Sequence, residues 1–249
     1  MHPLDSSRLK VKRADIHINA LKKSIGRLFD PQYTIGEKLI MQGRAKLLNV
    51  EIDPSLRAEN WGLIIGDIVT NLRASLDHIT WDLAMLHIRE TGRKLTPKEE
   101  RKIQFPLYDD SSAMADERRG VRALKYVLPR AHSEIERFQP YNRRNWPKLD
   151  LLRDLELLTN TDKHRIVIPC NVRSNVRLTS GDKGCVIILN EKNNTKFITD
   201  SSTSLEPNIT HTIAVYPRDS IHPMSIDEFP LIHDFIRDEV IPSFVRFFE

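Results

Sequence analysis

Apolar positions recur every three and four residues in several stretches of the chain, the period of a helix with one buried side. The first stretch runs through Val11, Ala14, Ile18, Leu21, Ile25 and Leu28, with Asp5-Ser6-Ser7 as capping residues and Asp30-Pro31 as its end. The strongest lies in residues 60–90. At about 100° per residue, Ile65, Ile68, Val69, Leu72, Leu76, Ile79, Leu83 and Leu86 share one sector of the wheel. Asp53-Pro54 is a start signal ahead of it, with proline at the first helical position. Thr96-Pro97-Lys98-Glu99 has the form of a capping box opening a short helix. After a loop at Phe105-Pro106-Leu107-Tyr108, helices are expected near 111–128, 130–138 and 148–161, the last carrying Leu149, Leu152, Leu155 and Leu158. Ser225-Ile226-Asp227-Glu228 opens a final helix, with Pro230 in its first turn and Pro242 as an interruption.

Other stretches read as strands. Residues 33–52 predict a β-hairpin, Tyr33 to Met41 and Ala45 to Ile52, turning at Gln42-Gly43. From Arg165 onward, Ile166–Ile168, Asn175–Leu178, Val186–Leu189, Lys196–Thr199 and Thr210–Tyr216 are short, β-branched and separated by turn residues. Helices and strands that do not alternate predict an α+β fold. The expected architecture is an N-terminal antiparallel helical bundle with an inserted β-hairpin, followed by a small antiparallel sheet and a C-terminal helix. The change of character places a division at 165, with a helical part over 1–165 and a β-rich part over 166–249, either packed together or separate.

Composition adds a sizeable core, since 40% of the 249 residues are hydrophobic and 29% charged. Cys170 and Cys185 lack metal-ligand spacing and read as small buried hydrophobes in a reducing compartment. No run approaches the ~18 apolar residues of a membrane span. Met1 to Lys12 is polar, with no apolar run after it, so the expected location is the cytoplasm. Residues 1–165 carry a net +7 and residues 166–249 a net −3, giving +4 overall. A basic half suits RNA through phosphate attraction, or is an ordinary solvated surface. There is no glycine-rich phosphate loop, no G-x-S-x-G and no Cys/His nucleophile pair, and only nine glycines, so no cofactor is expected.

The other side of the 60–90 helix carries the candidate chemistry. Asp67, Asn71, His78 and Asp82 cluster there, flanked by Ala74, Trp81 and Met85. A solvated face would favour Lys and Glu; this one suits a packed surface, and a homodimer through this helix is expected. Arg73 stands four residues before Asp77, the spacing of an ion pair along a helix. Asp162-Lys163-His164-Arg165 closes the 148–161 helix, either as a C-terminal cap or with Asp162 and His164 joining the His78 face. No H-x-x-x-H spacing joins these acids and histidines, so no metal is expected.

The string Gly66-Asp67-Ile68-Val69-Thr70-Asn71-Leu72-Arg73-Ala74-Ser75-Leu76-Asp77-His78-Ile79-Thr80-Trp81 resembles a motif of a large group of uncharacterised bacterial proteins. Phe105-Pro106, Gln139-Pro140-Tyr141 and Asp162-Lys163-His164-Arg165 are similar to that group's later landmarks. Arg73-x4-His78 also resembles the R-x(4–6)-H motif of the HEPN superfamily, helical domains many of which are metal-independent endoribonucleases acting as dimers. That resemblance implies that Arg73 stabilises phosphate charge and His78 acts as general acid and base while a ribose 2′-hydroxyl attacks its own phosphodiester. The alternative from the residues themselves is a structural polar layer, with Asn71 and His78 hydrogen-bonded at a packing interface.

Residues 137–148 interleave cations with aromatics, including Arg137, Tyr141, Arg143, Arg144 and Trp146. Single-stranded RNA is bound by that mixture, and a loop anchored to the core by its aromatics has the same composition. Two functional classes therefore stand: a HEPN-like endoribonuclease or RNA-binding protein, and a non-catalytic protein-interaction module.

Overall fold

The computed structural model describes residues 2–26, 33–52, 61–163, 167–180, 187–191, 194–200, 205–217 and 223–249. The fold is α+β, and the chain forms two compact units. The first comprises Met1–Leu21, Asn60–Pro169 and Val215–Glu249, and the second Lys22–Glu59 and Cys170–Ala214. This division differs from the sequence boundary at 165. The C-terminal helical segment belongs with the first unit, and the hairpin shares a sheet with strands almost 150 residues later in the chain.

In the first unit, helix α1 (Asp5–Gly26, ending in the second unit) buries Val11, Ala14, Ile18 and Leu21. Helix α2 (Trp61–Thr91) buries Ile65, Ile68, Val69, Leu72, Leu76, Ile79 and Leu83 completely, and Leu86 in large part. Each of these aliphatic side chains contributes roughly 1.5–3 kcal/mol on leaving water. The start signal at Asp53-Pro54 lies outside the described residues. Helix α3 (Pro97–Glu100) has both bonds of its capping box. The helix expected over 111–128 is two helices, α4 (Ser111–Ala115) and α5 (Gly120–Leu124). Asp116 breaks it: its backbone is extended, and its carboxylate accepts the N–H of Arg118 at 2.7 Å, a local bond that competes with the helix. Helix α6 (His132–Arg137) follows, and α7 (Asp150–Lys163) buries Leu152, Leu155 and Leu158 against α2. Val167 and Ile168, expected in a strand, are irregular, and Pro169 after them has no N–H for a ladder.

The C-terminal segment is α8 (Glu228–Phe235), a π turn at Ile236–Val240 and α9 (Ile241–Val245). Pro242 removes an N–H and crowds the carbonyl four residues back, and the widened turn lies just ahead of it. Phe235 and Phe244 meet Phe138, and Phe244 also meets Phe105, at ring separations of 6.0–6.2 Å.

In the second unit, β1 (Tyr33–Ile40) and β2 (Ala45–Ile52) form the expected hairpin, in register Ile40 to Ala45 through Tyr33 to Ile52. Met41, Gln42 and Gly43 all have positive φ, and Arg44 N–H closes the turn on Met41 O at 3.2 Å. Glycine at φ 84° bears this conformation without strain. With β3 (Cys170–Ser180), β4 (Ile187–Glu191) and β5 (Asn194–Asp200) following, one antiparallel sheet has the order β1-β2-β5-β4. Strand β6 (Leu205–Val215) lies beside β3 in another sheet.

Candidate functional site

Arg73 and His78, five residues apart on α2, leave the helix on different sides. Arg73 points inward and is 5% exposed. Its Nη2 donates to the carbonyl oxygen of Phe105 at 2.5 Å and lies 3.3 Å from Asp77 Oδ1, and its Nε lies 3.6 Å from Glu156 Oε2 on α7. Asp77 accepts the N–H of Phe105 at 2.9 Å. One turn of α2 thus takes both polar groups of the Phe105 residue. Gln139, fully buried, continues the pattern: its Nε2 donates to Pro106 O at 2.9 Å and its Oε1 accepts Tyr108 N–H at 3.1 Å. The segments Arg73–Asp77, Phe105–Pro106 and Gln139–Tyr141 meet here as a lock on an irregular loop, whose buried backbone needs such partners.

Asp162, in the last of those landmark segments, lies against the N-terminal part of α2 instead. A Cβ on Gly66 would stand 2.8 Å from its Oδ1, and Thr70 Oγ1 donates to its Oδ2 at 3.3 Å. A Cβ on Gly62 would stand 2.5 Å from the carbonyl oxygen of Ile168. The Gly62-x-x-x-Gly66 spacing, a mark of close approach legible in the sequence, makes room for both. Asp162 is eight residues from His78 on the α2 scale if measured from Thr70, about 12 Å at 1.5 Å per residue, so it does not join the His78 face. His164 lies outside the described residues.

His78 is half-buried, and burial holds its pKa below the usual imidazole value, with Lys10 adding to the shift and Asp77 opposing it. The ring is therefore mainly neutral at pH 7. Asn71 donates its side-chain N–H to the carbonyl of Asp67 on its own helix at 2.8 Å. The Asp67 side chain is 64% exposed and sits 3.9 Å from His17 of α1. Burial pushes Asp82 up to about 6, with Arg89 pulling the other way, and its Oδ2 is buried without a hydrogen-bond partner. Trp81 and Leu63 are 37% and 58% exposed on the same outer face. From Trp61 to Ile88, Arg73 is the sole Lys or Arg, so the outer face presents Asp67 and Asp82 with no cation of its own, while Asp77 turns to Arg73 and Phe105.

Four of the five residues proposed for RNA have side-chain partners within the chain. The rings of Trp146 and Phe138 are 5.5 Å apart, and Trp146 meets Phe235 edge-on at 5.3 Å. Tyr141 donates its hydroxyl to Glu136 at 3.0 Å. Arg137 lies over the Phe138 and Trp146 rings and pairs with Glu134 at 3.0 Å. Arg143 lies 3.2 Å from Asp109 and 3.6 Å from Asp150, and Arg144 is exposed.

Among the described residues, no group of three or more His, Cys, Asp or Glu side chains is placed to hold a metal ion, and no helix is long and apolar enough to cross a membrane. Burial pushes the Cys170 thiol up to about 11, out of the range of a nucleophile at neutral pH. No family model matches the chain, and no curated protein or solved structure matches it.

Proposed function

We propose that this protein is a non-catalytic interaction module that pairs with a second copy of itself through the outer face of α2. The observation that carries the reading is the commitment of Arg73. A guanidinium 5% exposed, bonded to Phe105 O and flanked by Asp77 and Glu156, has no path to a nucleic-acid phosphate from either copy of a dimer. Arg73 and His78 leave α2 on different sides, so the cation acting on His78 is Lys10 of α1 and not Arg73.

The same face favours a protein partner. Exposed Leu63 and Trp81 flank the small Ala74 and the carboxylates of Asp67 and Asp82. Elsewhere on the surface, α1 exposes Leu9, Lys12, Arg13 and Ile16, an apolar and basic strip of opposite charge. Two copies related by a two-fold axis place each basic strip on the other's acidic face, the self-complementarity of an isologous dimer.

Sedimentation velocity on the full chain and on Trp81→Glu tests this. Wild type is expected as a dimer and the variant as a monomer of unchanged helicity. A wild type that remains monomeric at high micromolar concentration refutes the pairing. RNA cleavage in EDTA that is lost in His78→Ala refutes the non-catalytic half.

A further inference from the structure

Away from the face of α2, the short helices α4, α5 and α6 enclose a surface cavity of about 730 Å³, within the range of small-molecule sites. We infer that it binds a small organic anion with an apolar body, such as an acyl carboxylate or an alkyl phosphate.

The walls are apolar where they are deepest. Met114, Leu124 and Val127 are buried at the floor, and Val121 at the rim is 52% exposed. Gly120 sets the shape: a Cβ there would stand 2.0 Å from the carbonyl oxygen of Met114, so only glycine lets α4 and α5 meet as adjoining walls. On the far wall the His132 ring is 3.0 Å from the carbonyl of Val127, which orients it.

The charge around this floor is mostly positive. Lys102, Arg122 and Lys125 line the cavity, and neither Lys102 nor Arg122 is in an ion pair among the described residues. Two carboxylates, Glu117 and Glu136, share the lining, with Glu136 held by the Tyr141 hydroxyl, so the three cations leave one positive charge in excess. An apolar cavity with cations at its edge selects a ligand that buries a hydrocarbon or aryl body and leaves its anionic head among the ammonium and guanidinium groups.

Calorimetric titration of the full chain with octanoate, octyl phosphate, octanol and inorganic phosphate tests the inference. At least one of the two amphipathic anions is expected to bind, and which one binds tighter assigns the head group. Octanol and inorganic phosphate are each expected to bind tenfold or more weakly. The double variant Lys102→Gln/Arg122→Gln, both solvent-accessible and outside the core, is expected to lose tenfold or more in affinity for the anion with its thermal midpoint unchanged. Val121→Asp is expected to lose it through the apolar wall. No binding of either anion at millimolar concentration, octanol binding as tightly as octanoate, or undiminished affinity in the double variant overturns the inference.

Discussion

The guanidinium of Arg73 ends on the carbonyl oxygen of Phe105, 2.5 Å away and 32 residues along the chain. With Asp77 on the N–H of the same residue, the contact ties the middle of α2 to the loop that carries Phe105 into the aromatic core. Removing one member of a buried ion cluster leaves the others charged and desolvated, at a cost of about 3–5 kcal/mol. Arg73→Ala is therefore expected to lose stability on that scale in urea denaturation, and Arg73→Lys to lose less, because it keeps the charge but not the fork of donors. An Arg73→Ala midpoint equal to wild type would mean that the side chain is free for another task.

Two glycines on α2 should respond differently to the same substitution. Alanine in a helix interior is favoured over glycine by about 1 kcal/mol, so the change at Gly66 begins with a gain, whereas Gly62 is the second residue of α2 and gains less. At Gly62 the new methyl meets the backbone carbonyl of Ile168 and the Cγ1 of Val167, at 2.5 and 2.6 Å, and backbone does not yield cheaply. At Gly66 it meets a carboxylate oxygen of Asp162 at 2.8 Å, the end of a side chain that rotates away for the loss of one exposed bond to Thr70. Gly62→Ala is expected to destabilise by about 1–3 kcal/mol, as overpacking does. Gly66→Ala is expected near neutral, and equal urea midpoints for the two variants would contradict this.

Much of the helical framework is legible in the apolar period. The stripes of α2 and α7 need only spacing to be recognised, because a buried face on one side is a local property of the chain. The hairpin is legible for a similar reason, since Gly43 marks the turn. The fate of Arg73 is not legible: its i,i+4 partner Asp77 is visible, but Phe105 O and Glu156 come to it only through the tertiary fold. Asp116 ends α4 by a bond to Arg118 N–H that outweighs the helical pattern expected over 111–128. The cavity beside α5 depends on that break. The division at 165 differs from the contact division because pairing of β2 with β5, from Ala45–Asp200 to Glu51–Asn194, leaves no mark in local composition.

Asp82 and Asp154 make stability depend on pH in the opposite direction to most carboxylates. Burial pushes both up to about 6, and Asp154 is raised further by Glu228. An acid whose folded pKa lies above its unfolded one holds an extra proton in the native state between those values. Stability then falls as pH rises from about 4 to about 6 and stays at the lower level above that window. A shift of about two units in a dry site is worth about 3 kcal/mol. Partial exposure of Asp82 screens this to roughly 1 kcal/mol. Asp82→Asn is thus expected to raise the thermal midpoint at pH 7.5 by about 2–4 °C and to leave it nearly unchanged at pH 4. Calorimetric scans at the two pH values check the difference, and an equal shift at both would remove the charge of Asp82 as the cause.

Trp146 distinguishes a loop built to hold RNA from one built to hold itself. Its ring packs at 5.3 Å against Phe235 and at 5.5 Å against Phe138, and the guanidinium of Arg137 lies 5.3 Å from it. A base cannot stack on faces already occupied in this way, whereas an aromatic cluster loses area and ring contacts together when one member is truncated. Trp146→Ala is expected to cost about 2–3 kcal/mol in urea denaturation, below the values for fully buried rings because Trp146 is partly exposed. Arg144→Ala, at an exposed position in the same segment, is expected to change stability by less than about 0.5 kcal/mol. If Trp146→Ala keeps the wild-type midpoint and instead lowers affinity for a single-stranded oligonucleotide, the ring is available to ligands and the loop is a nucleic-acid surface.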